Sequence, residues 1–257
     1  MSTIHNSNAA CCSIPPVQSD YTPKGSFKPY AGFKKAYITG SETSTTALVA
    51  VYDIFGFWPQ TQQGADILAT SLNAKVVMPD FFEPDEPFPS ENFPPTTEEG
   101  KQALQAFFGG PANIGNTIPK VKKVAEQLKA DGATQVGAYG FCWGAKVVTL
   151  TGTDTTFDAV ASIHPAMLAA GDVDGLAVPL AIFPSKDEPV DEYEKVVKVI
   201  STKPFASKNA YKYYPTVHHG WAAARANLSD PENLKQYEDV YSRITGFFEG
   251  VWGIHKH

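Results

Sequence analysis

The chain of 257 residues contains three cysteines, and they do not pair up: Cys11 and Cys12 are adjacent near the start, and Cys142 lies alone. That spacing excludes a disulfide framework and a paired-cysteine zinc site, so Cys142 is expected to carry no bridge. Basic residues are also scarce, 21 Lys and Arg against 27 Asp and Glu, which leaves no basic footprint for nucleic acid or an anionic membrane surface. No apolar run reaches the length of about 20 residues that crosses a bilayer. The opening MSTIHNSNAACCSIPP has neither the basic nor the apolar part of a secretory signal. The expectation is a cytoplasmic protein, monomeric or homodimeric, acting on a small molecule, with no nucleic acid and no membrane as partner.

What is present has regular punctuation. Residues 1–30, rich in Ser and Pro, predict an extended N-terminal arm, and residues 31–257 a single domain. TALVAVYDIFG, KVVMPDFF, TQVGAYG, FDAVASIHP, LAVPLAIFPSKDEP and AYKYYPTVHHG each read as a strand running into a polar loop. Helical spacing recurs between them, at Ile67, Leu68 and Leu72 and again at Val121, Val124 and Leu128. Further helices are expected over about 97–108, from Trp143, over VDEYEKVVKVIST, and over DPENLKQYEDVYSRITGFFEG. The loop EPDEPFPSENFPPTTEEG carries five prolines and is expected to cover one end of the sheet. Strands alternating with helices imply an α/β fold whose mostly parallel sheet has helices on both faces.

In such a sheet the functional loops gather beyond the carboxyl ends of the strands. Asp53, Cys142, Asp187 and the pair His218–His219 all fall in those loops. Nucleophile, acid, histidine is the chain order of α/β-hydrolase triads. Gly140-Phe141-Cys142-Trp143-Gly144 fits a nucleophile elbow, where the strained turn demands small residues two before and two after the nucleophile. The turn would aim the thiol at a helix N-terminus, whose N–H groups and dipole favour a thiolate. A histidine would take the thiol proton, and Asp187 would hold the imidazole in its useful tautomer.

DIFG at Asp53, GFCWG around Cys142, SKDEPV around Asp187 and HHGW at His218, in that order, resemble the dienelactone hydrolases, α/β-hydrolases with a Cys-His-Asp triad. The likeness runs from about Gly25 onward, and the Cys11-Cys12 pair with its arm is similar to the family's fungal branch. It implies Cys142 as nucleophile, His219 as base, Asp187 as acid, and the backbone N–H groups of Ile54 and Trp143 as oxyanion hole. No cofactor and no metal are implied.

Asp53 is read either as a carboxylate that modulates the thiol or as a loop cap. Trp58, Phe81, His164, Trp221 and Arg225 are candidate substrate contacts, each with a core or loop role as the alternative. Lys146 reads as a solvated or snorkelling side chain. The reading is a cofactor-independent hydrolase of a small lactone or activated ester. The alternatives are a cyclase, isomerase or carbon–carbon-bond enzyme on the same fold, and a non-catalytic ligand-binding protein. Ala223 stands where the bacterial enzymes carry a carboxylate-binding arginine, and the loop EPDEPFP is acidic. A neutral or aromatic substrate is therefore expected.

Overall fold

The computed structural model describes residues 15–254; Cys11 and Cys12, and the expectations attached to them, lie outside the described residues. Eight strands form one sheet in the order β1-β2-β4-β3-β5-β6-β7-β8. They are β1 (Ser26–Tyr30), β2 (Phe33–Thr39), β3 (Thr46–Val51), β4 (Lys75–Pro79), β5 (Gln135–Phe141), β6 (Ala159–Ile163), β7 (Leu180–Phe183) and β8 (Ala210–Tyr211). From β4 to β8 all neighbours are parallel; β2 is antiparallel to β4, and β1 to β2. β3, TALVAV, is buried at every residue, as a central strand covered on both faces must be.

Helices α1 (Pro59–Leu72) and α6 (Pro231–Trp252) pack together on one side. α3 (Ile114–Ala130) packs against α4 (Trp143–Thr151), which lies along β5 and β6. α2 (Glu98–Gly109) and α5 (Val190–Ile200) complete the set. Each start has a local cause. Thr97 and Asn113 accept N–H bonds at the first turns of α2 and α3, and Asp230 followed by Pro231 opens α6. The expected face of α3 is the buried one, with Val121, Val124 and Leu128 all inward.

Two expectations need correction. The sheet begins inside the stretch read as an arm: Ser26–Tyr30 is an edge strand closing a hairpin with β2. AYKYYPTV pairs over only two residues, because Pro184 follows β7 and has no N–H to continue the ladder. Pairing resumes as a single bridge from Ser185 to Tyr214.

The arm proper is tied down. Val17 N donates to Ala224 O, and Val17 O accepts from Trp58 Nε1 and Gln60 Nε2. Further along, the Asp66 carboxylate accepts from Tyr21 Oη, Lys24 N and Tyr37 Oη at 2.7–2.9 Å.

Candidate active site

Cys142 sits between β5 and α4 at φ 54°, ψ −117°, a conformation a non-glycine residue adopts only under constraint. The constraint is visible in its flanks. A Cβ on Gly140 would lie 2.4 Å from Gly144 O, and one on Gly144 would lie 2.3 Å from Val51 O. The turn is thus wedged against the end of β3, which brings the 51–54 segment alongside it. Cys142 N donates to Ile163 O, and Cys142 O accepts from Ala166 N, so the elbow is also bonded to the end of β6. Ile54 and Trp143, the two expected oxyanion residues, are fully buried beside this turn.

His219 is fully buried, with its ring 5.0 Å from that of His164 on the loop bonded to the elbow. The carboxylate at its ring is not the expected one. Glu188 Oε1 lies 2.5 Å from His219 Nδ1, whereas Asp187 Oδ2 accepts from the backbone N of His219 at 2.7 Å. The reason is local geometry after β7. The Ser185 N–H grips the second oxygen of Glu188, turning that side chain inward to 2% exposure, while half-buried Asp187 turns back to cap the facing loop. Asp187 thus positions the loop, and Glu188 orients the ring. His218 is half-buried and hydrogen-bonds through Nδ1 to the carbonyl of His219.

Asp53 caps its loop, the second of its two expected readings. Its oxygens accept from Phe55 N at 3.0 Å and Ala224 N at 3.4 Å, and it is 2% exposed. Burial pushes its carboxyl up, and the Arg225 charge opposes that rise. Arg225 itself is 1% exposed. Its guanidinium carbon lies 5.1 Å from the Phe55 ring centroid and 4.8 Å from that of Phe93. Gly220, at φ +96°, leaves room for the Arg225 side chain to fold back beneath it. Burial, reinforced by the neighbouring His219 and Arg225 charges, holds His164 well below its ordinary 6.5. Neither His164 ring nitrogen has a hydrogen-bond partner among the described residues.

The remaining candidates divide. Trp221 is buried between Tyr214 and His164, at the site. Phe81 packs on Phe33 and Tyr52 in the core. Trp58 is half-buried and holds the arm through its Nε1. The Trp143 ring is core, against Phe82 and bonded to Ala112 O. Lys146 is not solvated: it pairs with Asp172 and donates to Met167 O, pinning the loop after β6. Sequence reasoning misses Glu188 and Phe93. For Glu188 the signal is there, two adjacent carboxylates in one loop, with nothing to say which turns inward.

A parallel-centred sheet with a strained cysteine turn after β5 and a buried carboxylate–histidine pair after β7 and β8 defines an α/β-hydrolase fold. The chain belongs to the dienelactone hydrolase family, whose profile matches residues 35–252. Two relatives are uncharacterized AIM2 family proteins of Schizosaccharomyces pombe. Each is 33% identical; the first match covers 95% of this chain and 99% of the relative, the second 94% and 99%. That places the chain in the fungal branch. Solved structures with the same fold include a dienelactone hydrolase from Anabaena variabilis, at TM-score 0.59 and 13% identity. Another is the dienelactone hydrolase-like promiscuous phosphotriesterase P91 from metagenomic libraries, at TM-score 0.63 and 16% identity. Each of these two matches covers 90% of this chain and 98% of the other.

Proposed function

We propose that the protein hydrolyses a small lactone or activated ester through a thioester on Cys142. The observation that carries this is a cysteine held at positive φ on a helix N-terminus, its turn bonded to the loop whose His164 packs against the buried His219–Glu188 couple. His219 Nε2 takes the thiol proton as sulfur attacks the acyl carbon, and Glu188 stabilises the imidazolium that forms. The carbonyl becomes an oxyanion facing the N–H groups of Ile54 and Trp143. The C–O bond then breaks and the leaving oxygen collects the proton from His219. Water, deprotonated by His219, attacks the thioester; the C–S bond breaks and the thiol is restored.

Asp53 tunes the first step. A charged carboxylate near the thiol opposes thiolate formation, and Arg225 offsets that charge. Because the Arg225 charge already acts on Asp53, a substrate carboxylate would meet a cation that is engaged. The proposed substrate is therefore neutral.

Intact-protein mass spectrometry after exposure to lactones and aryl esters tests the reading. An acyl adduct is expected that is absent in Cys142→Ala; an adduct that persists in Cys142→Ala would remove the cysteine from the mechanism. Turnover of a methyl ester should exceed that of the matching free acid.

A further inference from the structure

Every group of the site is shut away from solvent: Cys142 is 1% exposed, His219 and His164 0%, Glu188 and Asp53 2%, and Arg225 1%. No substrate reaches the thiol until part of the surrounding surface moves. The segments over the site are unequally secured. The arm is fixed by three bonds at Val17. The loop after β6 is fixed by the Lys146–Asp172 pair and by Glu192 on Ala170 N. The 218–226 segment is held by Tyr241 Oη on Ala222 O and Asn233 Nδ2 on Trp221 O.

The stretch 84–95 is built differently. Its prolines remove backbone donors, and its hydrogen bonds are chiefly local, such as Asn92 N to Pro89 O and Phe93 N to Ser90 O. One backbone bond, Phe88 N to Ile54 O, crosses to the loop of the oxyanion candidate. Beyond that bond, Pro87 packs against Gly56 and two phenylalanines are buried in an otherwise largely exposed surface, Phe88 against Phe107 of α2 and Phe93, each 5% exposed. Phe93 packs edge-on against Phe55 at 5.2 Å, and both rings face the Arg225 guanidinium. Among the described residues, a segment joined to the rest by one crossing backbone hydrogen bond and a few apolar side chains is the one that lifts at least cost.

We propose that residues 84–95 are a lid over Cys142, latched by Phe93 on Arg225, and that Phe93 holds the place a planar ring of the substrate takes when the lid is open. The guanidinium then offers its face to a π system and not its edge to a carboxylate. This rests on the hydrolase reading only for the substrate; the lid itself is independent of it.

The two parts separate experimentally. Alkylation of Cys142 by iodoacetamide, followed by peptide mapping, reports opening without any turnover. Phe93→Ala should be labelled about tenfold faster than the parent protein, because the closed state loses its cation–π contact. Phe93→Leu, which keeps an apolar plug without a ring, should show an intermediate rate and covers the case in which the alanine variant does not fold. Phe247→Ala, a truncation of equal size on α6, should label at the parent rate. Equal acceleration in Phe247→Ala, or none in either Phe93 variant, overturns the lid. For the ring, Phe93→Ala should lower KM for a linear alkyl ester through the easier opening and lower it several-fold further for a phenyl ester; an equal fall in both overturns the placeholder role. If no ester is turned over at all, the hydrolase reading fails while the labelling result stands.

Discussion

Two adjacent carboxylates take different jobs after β7. Glu188 touches the His219 ring and Asp187 its backbone N–H. Glu188→Gln should therefore lower kcat/KM by about 10²–10⁴-fold, the range for losing the group that orients a catalytic imidazole. Asp187→Asn removes charge from a bond to an amide and should cost no more than about tenfold. Steady-state kinetics on one aryl ester decide it, and the reverse ranking would return the ring to Asp187. His164 carries a stability consequence with a definite sign. Its folded value lies below the 6.5 of the unfolded chain, so the unfolded state binds the proton first. Its contribution is complete above pH 6.5 and is lost as pH falls from there, by up to about 1.4 kcal/mol per pH unit. Denaturant titrations should show this slope flattened in His164→Gln.

The nucleophile turn is the element most clearly written in the sequence. Gly140 and Gly144 leave no room for a Cβ, and their even spacing on either side of Cys142 marks the turn in the bare amino-acid string. Gly144→Ala should destabilise by about 1–3 kcal/mol through forced overpacking, read as a fall in Tm. The β1–β2 hairpin is not legible, because its strands carry the half-buried Lys28 and the exposed Lys34 and Lys35 and lack the apolar run that marks β3. The sequence of β8 overstates its length, since pairing depends on the partner strand, and Pro184 belongs to the other side of the ladder. The proline content of 84–95 is plain, but the inward Phe93 becomes distinct only when Arg225, far along the chain, is seen against its ring. At the arm, Asp66→Ala removes the acceptor shared by Tyr21, Lys24 and Tyr37. Limited proteolysis should then cut residues 15–25 markedly faster, and an unchanged cleavage rate would show that Val17 suffices as anchor.

Across the molecule, the site is assembled from segments distant in sequence. Asp53 accepts from Ala224 across 171 residues, Gln60 reaches Ala226 across 166, and Tyr237 Oη donates to Gln60 O across 177. α6 seals this arrangement with Tyr237, Val240, Tyr241, Ile244, Phe247 and Phe248 all buried. Truncation before Pro231 should therefore abolish cooperative unfolding, as monitored by circular dichroism; a sharp transition in the truncated chain would show that the sheet is stable without it.

These separations also fix when the chemistry begins during synthesis. A chain still being extended on the ribosome has β3, the elbow and the cysteine long before His219 and Arg225 have emerged, and contacts of such range form late. Until the last segments arrive, the newborn protein has a thiol without its imidazole. On the proposed mechanism, its reactivity starts only after the 218–226 segment has emerged.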